Sequence, residues 1–386
     1  MKTLNDVTLD KQRVLMRLDL NVPLKDGEIT SDARIQAALP TIREVLAHDA
    51  SVMIMAHLGR PKEGEYDETL SLAPVAAYLS KALGQDVRLV KDYLDNPPEV
   101  GAGEVVLLEN VRFNVGEKKD DEALAKAYAA LCDVFVSDGF GVVHRAQAST
   151  HGVAKFAPQA CAGLLVEKEV RTLEALLHDP KRPMLAIVGG AKVSSKLLVL
   201  KSLLEKVDVL IPGGGIANTF LQAAGYEVGS SLSEPDLLAD AKAMINKAKA
   251  RGVTLLLPED VVVAKAFAED AEHRICALDE IQSNEMILDI GPKSAARYEQ
   301  AIAKAGTIVW NGPVGVFEMA PFAAGTKALS EAIAASDGFS FAGGGDTIAA
   351  IGVFGVENGV DYVSTGGGSM LEYLEGKTLP GIAVLS

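Results

Sequence analysis

Short apolar runs alternate along this chain with longer segments in which apolar residues recur every three to four positions. Apolar runs at 14–18, 52–55, 87–90, 105–108 and 134–136 predict strands. Between the first two, Ile35, Ala38, Leu39, Ile42, Val45 and Leu46 share one helical face, and Ser31 stands where a cap is needed. Further helices are predicted over 72–83 and 121–131. Strand, helix and strand repeated in this way give βαβ units and a mainly parallel sheet with helices on both faces. The pattern restarts after a helical stretch over 164–178, closed by Pro180 and Pro183. New strands are predicted at 185–188, 209–211, 254–257, 307–310, 339–342 and 362–364. The expected fold class is α/β: two Rossmann-like three-layer α/β/α domains with mainly parallel sheets, joined by a long helix.

Length supports this division, because 386 residues are too many for one ordinary core. Charge narrows the partners. A formal net charge of -15 disfavours nucleic acid and anionic membranes, so an anionic ligand must find a local positive patch. Cys132, Cys161 and Cys276 are far apart, with neither zinc spacing nor a disulfide framework. They read as buried free thiols of a reducing compartment. The N-terminus carries no apolar signal region, and no apolar run approaches the roughly 20 residues that span a bilayer. A cytoplasmic location is expected.

The two halves carry different chemistry. Glycine triplets at 213–215, 343–345 and 366–368, with the pair Gly189-Gly190, all lie in the second half between a predicted strand and a predicted helix. Strand ends are where parallel sheets bind ligands, and glycine lets a phosphate approach free N–H groups at a helix start. Glycine also serves tight turns with no ligand at all. Neither a P-loop nor the dinucleotide fingerprint is present. Lys192 and Lys196 lie four apart across the expected start of a helix. They suit a transferring phosphoryl group, or are simply solvated. Asn311 can donate to a phosphate and Glu318 can accept from ribose hydroxyls. Asp346 is either a helix N-cap or a contact to Mg²⁺ held by nucleotide phosphates.

The first half places arginine and histidine after its strands instead. Arg17, Asp19 and Asn21 follow the first, His57 and Arg60 the second, Arg112 the fourth, and His144 and Arg145 the fifth; Arg34 opens the first helix. Any one of these arginines suits a surface ion pair. Five on one sheet edge repel one another unless an anion gathers them.

These residues fall into motifs. Arg17-Leu18-Asp19-Leu20-Asn21-Val22-Pro23, Ser31-Asp32-Ala33-Arg34, His57-Leu58-Gly59-Arg60-Pro61 and Glu109-Asn110-Val111-Arg112-Phe113 resemble the substrate side of the phosphoglycerate kinase family. Gly189-Gly190-Ala191-Lys192-Val193, Gly213-Gly214-Gly215-Ile216-Ala217-Asn218, Trp310-Asn311-Gly312-Pro313 and Gly343-Gly344-Gly345-Asp346-Thr347 resemble its nucleotide side. The resemblance implies an N-terminal triose domain over 1–170, a C-terminal nucleotide domain over 171–370, and a tail, 371–386, that packs back on the first. It implies a monomer that uses 3-phosphoglycerate or 1,3-bisphosphoglycerate and ADP or ATP, with Mg²⁺ bound to the nucleotide. The triose set it implies is Arg17, Asp19, Asn21, Arg34, His57, Leu58, Gly59, Arg60, Arg112, His144 and Arg145. The nucleotide set is Lys196, Gly214, Asn311, Glu318, Gly344, Gly345, Asp346 and Thr347. Arg34, Lys192, Lys196, Gly367 and Gly368 would stabilise the moving phosphoryl group. The sequence departs from the family pattern around Gly139, Val142, Val143 and Gln147, where a histidine is common at the last.

Such a transfer needs neither a covalent intermediate nor a general base, because a carboxylate is already nucleophilic and an acyl phosphate already activated. Positioning, charge stabilisation and domain closure suffice. A dinucleotide oxidoreductase and a two-lobed anion-binding protein are the competing readings of the same pattern.

Overall fold

The computed structural model covers residues 1–386. The chain divides into two compact units, Met1–Leu173 with Lys377–Ser386, and Glu174–Gly376. The helix Leu164–His178 runs across the division. A helix carries no break in composition, so no sequence signal marks this boundary.

The first unit is built on six strands in the spatial order Val87–Val90, Val105–Leu108, Ser51–Met55, Arg13–Arg17, Val134–Ser137, Gln159–Ala162. All pair in parallel. Flanking helices bury both faces, which is why its central strands read as continuous Val, Leu, Ile and Met runs rather than alternating ones. The last residues return to this unit: Lys2 N donates to Leu385 O at 2.7 Å, and Gly381 N to Val143 O at 2.9 Å.

In the second unit the order is Thr254–Leu255, Val209–Gly213, Met184–Gly189, Thr307–Asn311, Phe339–Ala342, Tyr362–Val363, again wholly parallel. Numbered along the chain, that is 3-2-1-4-5-6, with its switch point between Met184–Gly189 and Thr307–Asn311. Trp310 lies fully inside the core beside the switch.

Three features differ from the sequence expectation. The cap of the Ala33–Leu46 helix is Asp32, not Ser31, and its carboxylate takes the Tyr78 hydroxyl instead of a helix N–H. The strand Gln159–Ala162 completes the first sheet beyond the strands foreseen. A three-stranded antiparallel sheet, His273–Ala277, Asp260–Ala264 and Met286–Ile290, stands beside the second main sheet. No helix is long and apolar enough to cross a membrane.

Candidate active site

In the first unit, the cations collect at the carboxyl edge of the sheet. Arg17 ends the first strand, and its guanidinium is buried. Its Nε donates to Ser149 Oγ at 2.8 Å, Nη1 to the Leu18 carbonyl, and Nη2 to His57 Nδ1 at 3.2 Å. Arg34, in the first turn of the Ala33–Leu46 helix, donates through Nη1 to Asp19 Oδ1 at 3.1 Å and to Asn21 O at 3.0 Å. The loop after the second strand is pinned from two sides. Gly59 N donates to Asn21 Oδ1 at 2.9 Å, and Gly59 O accepts from Arg112 Nη1 at 2.7 Å. Gly59 has φ +63°, and a Cβ there would stand 2.6 Å from Leu70 Cδ2, so this loop requires glycine. Leu58 is buried beneath it and accepts from Asn110 through its carbonyl, while Arg60 is exposed. Arg145 donates to His144 Nε2 at 3.2 Å.

Electrostatics ties these groups together. Burial pushes the His57 imidazole far below its ordinary range, and Arg17, Arg112, Arg145 and Arg34 push it further. Burial, then Arg17 and Arg145, lowers Arg112 to about 10. The Nε of Arg112 is buried with no partner. An unpaired buried donor among like charges is the arrangement an anion completes. Sulfate is therefore expected to raise the melting temperature more than chloride does at matched ionic strength, because it binds the native state only. Arg112→Ala is expected to blunt that difference. Arg251→Ala, at an exposed pair with Glu205, is expected to leave it intact. Equal effects of the two salts on the wild type would show that these guanidinium groups form no common site.

In the second unit, the glycine loops meet at the switch point. The Gly189-Gly190 turn lies against the loop at Gly312-Pro313; a Cβ on Gly189 would fall 1.9 Å from Pro313 O. Gly214 caps the helix Gly215–Ala223 with φ +63°, and its Cβ would lie 2.9 Å from Gly190 O. Gly344 caps the helix Gly345–Phe354, and a Cβ on Gly367 would lie 3.2 Å from Gly344 Cα. A Cβ on Gly345 would meet nothing within 4 Å, which leaves open space before that helix start. Gly366 caps the helix Gly367–Leu374.

The side chains around these loops divide differently from the sequence reading. Lys192 and Lys196 do not straddle a helix start, because the helix begins at Leu197. The segment before it is a turn closed by Lys196 N donating to Val193 O. Lys192 is exposed. Lys196 folds in, with Nζ donating to Gly189 O and to Asn311 O. Burial lowers it to about 8, with Asp346 acting the other way. Asn311 is buried and spends its amide on Gly343 O at 2.7 Å, leaving its Oδ1 without a partner. Thr347 is also inside, accepting from Gly312 N at 2.7 Å. Both hold the loops rather than face solvent. Asp346 is no N-cap; it is exposed in the first turn after Gly344.

Next to the loops lies a pocket of about 540 Å³, open to Gly214, Glu318 and Asp346. Its apolar wall includes Met286 and Leu288 from the antiparallel sheet, with Phe267 from the loop between Asp260–Ala264 and His273–Ala277. Asp289 lines the pocket too. It accepts from Gly325 N and Ile290 N, and burial pushes its carboxyl up to about 7. Sequence reasoning found neither this wall nor Asp289. The signal available was the apolar pattern over 260–264 and 286–290.

The phosphoglycerate kinase family model matches residues 4–377. The structure of phosphoglycerate kinase from Coxiella burnetii is similar over 99% of this chain and 98% of its own, at 51% identity and a TM-score of 0.95. That from Pyrococcus horikoshii OT3 is similar over 100% of this chain and 98% of its own, at 34% identity and a TM-score of 0.84. With the matching motifs at the edges of two parallel sheets, these findings show that the chain belongs to the phosphoglycerate kinase family.

Proposed function

We propose that the Met1–Leu173 unit binds 3-phosphoglycerate or 1,3-bisphosphoglycerate and the Glu174–Gly376 unit binds ADP or ATP with Mg²⁺. As a member of its family the chain is a glycolytic phosphotransferase, moving a phosphoryl group reversibly between 1,3-bisphosphoglycerate and ADP. The observation that carries the ligand assignment is the unpaired buried Arg112 Nε, beside a His57 on which the charges of Arg17, Arg112, Arg145 and Arg34 all act. A triose that bears both a carboxylate and a phosphate supplies the missing charge. Asp19, Asn21, His57, Arg60, Arg112, His144 and Arg145 then hold it, with the backbone of Leu58 and Gly59.

On the nucleotide side, the pocket takes the base against its apolar wall and Glu318 takes ribose hydroxyls. Gly214, Gly344 and Gly345 offer backbone N–H groups to the phosphates, and Lys196 supplies their nearest cation. Asn311 and Thr347 keep the loops in register. No cluster of three or more His, Cys, Asp or Glu suits a metal ion. The exposed Asp346 beside the open space at Gly345 instead fits a hard cation whose other ligands are phosphate oxygens. Mg²⁺ held there would neutralise phosphate charge.

Arg34, Lys192, Lys196 and the backbone of Gly367 and Gly368 then stabilise the equatorial oxygens of an in-line transfer. Transfer requires the two ligands to be brought together during the reaction, with water excluded. The protein then works as a monomer, and its buried free thiols fit the reducing cytoplasm. ATP-dependent phosphorylation of 3-phosphoglycerate in a coupled assay tests the whole reading, and an inactive, folded protein would overturn it. Asp346→Ala is expected to weaken MgATP binding and leave 3-phosphoglycerate binding unchanged in separate calorimetric titrations. Equal loss of both would remove Asp346 from the nucleotide side.

A further inference from the structure

Glu117 lies in the charged run Gly116-Glu117-Lys118-Lys119-Asp120-Asp121, yet it is 0% exposed. Both of its oxygens accept from one residue, Ser149: Oε1 from the hydroxyl at 2.5 Å and Oε2 from the backbone N–H at 3.1 Å. Ser149 is equally buried. Its only hydroxyl hydrogen is given to Glu117, so its lone pair is what takes Arg17 Nε–H at 2.8 Å. Arg17 continues the chain to His57 Nδ1 at 3.2 Å.

The direction of every bond is then determined. A guanidinium only donates, so His57 Nδ1 must accept, and a neutral ring that accepts at Nδ1 carries its hydrogen on Nε2. All three nitrogens of Arg17 are bonded within the protein, to Ser149, Leu18 and His57. Arg17 as a whole is 1% exposed. Glu117 is the buried counter-charge to Arg17 and also ties two arginine-bearing loops together, since its carbonyl accepts from Ala148 N at 3.0 Å. The charged groups that act on His57 are Arg17, Arg112, Arg145 and Arg34, and Asp19 and Glu117 act on Arg17 in turn.

We infer that Glu117, Ser149 and Arg17 form a positioning chain that fixes His57 as its Nε2–H tautomer, and that Arg17 is no direct ligand of the triose. His57 then presents one neutral N–H, with no competing proton at Nδ1. The inference deepens the proposed triose site and rests on that reading for its effect on KM, but not for the tautomer.

The test is nitrogen-15 NMR of histidine in the full-length protein, with His57 assigned by His57→Gln. The wild type is expected to show the Nε2–H pattern for His57, unchanged from about pH 8 to about pH 5.5, a window that brackets the ordinary histidine value of about 6.5. In Ser149→Ala, Arg17 loses its Nε acceptor and moves toward the Glu117 carboxylate, so His57 is expected to exchange between tautomers. KM for 3-phosphoglycerate is expected to rise about tenfold and KM for MgATP to stay near its wild-type value. Glu117→Gln is a second probe of the same chain. A variant that merely loses stability lowers the melting temperature without changing the ring pattern. A wild-type His57 that is Nδ1–H or charged overturns the inference. So does a wild-type pattern retained in both variants. A changed pattern with an unchanged triose KM supports the chain and overturns the placing of the triose at His57.

Discussion

Replacing Arg34 with alanine is expected to lower kcat by about two to three orders of magnitude, with a much smaller change in KM for 3-phosphoglycerate. The reason lies in how Arg34 differs from Arg17. Arg34 engages Asp19 Oδ1 and Asn21 O through Nη1 alone, and its side chain remains 40% exposed. The rest of its planar fork is free to meet charge that develops only as the phosphoryl group moves. Interactions made in the transition state alone appear in kcat, whereas those made equally in the ground state appear in KM. Arg34→Lys keeps the charge and loses the fork, so it is expected to recover only part of the loss. Steady-state kinetics of both variants decides the matter: an unchanged kcat in Arg34→Ala removes this residue from the transfer step.

Lys196 is expected to make nucleotide binding take up a proton in alkaline solution. Burial lowers its ammonium to about 8. As pH rises through that value the free protein loses the proton, while a polyphosphate beside Nζ favours the charged form. Binding of MgADP is therefore expected to take up a substantial fraction of one proton at about pH 8.5 and almost none from Lys196 at about pH 6.5. Titration calorimetry in buffers of different ionisation enthalpy measures this directly. Lys196→Met is expected to abolish the alkaline uptake and to cut kcat/KM by about three orders of magnitude. Uptake that persists in Lys196→Met would assign the proton to another group. The sign also bears on stability. The unfolded chain, with lysine near its ordinary value of 10.5, binds more protons than the folded one between about 8 and that value. The cost of burying this charge is thus full below about 8 and relieved as pH rises above it.

What the amino-acid sequence determined by itself was every parallel strand but Gln159–Ala162, and the placing of chemistry at their ends. A parallel strand buried on both faces must be apolar throughout, so runs such as Val134–Ser137 and Met184–Gly189 announce themselves. Glycine turns at 189–190, 213–215 and 343–345 could be located because each stands between a strand pattern and a helix pattern; at Gly189, Gly213, Gly214 and Gly215 the structure adds the reason, a passing backbone that leaves no room for a Cβ. The helix Leu164–His178 was legible from its period. Short or partly exposed elements were not. The strand His273–Ala277 is mostly exposed and opens on His273-Arg274, so its apolar residues are too few to mark its full length. The wall of the pocket beside the glycine loops, which draws on Met286 and Leu288 of that sheet, was not assembled from the sequence either.

Tertiary structure alone decided which charged residues are inside. Glu117 stands in a run that reads as a solvated surface, and only the approach of Ser149, 32 positions away, gives its carboxylate a buried partner. Arg17 and Arg34 look alike in sequence, each beside a strand end or a helix start. Packing bonds every nitrogen of the first and leaves part of the second open. Lys192 and Lys196 likewise look like a pair, yet the helix starts after both, so one points to solvent and the other folds under the Gly189 turn. The physical reason is common to these cases. Burial of a charge depends on partners brought by distant segments, and a local pattern of residue types holds no information about that distance.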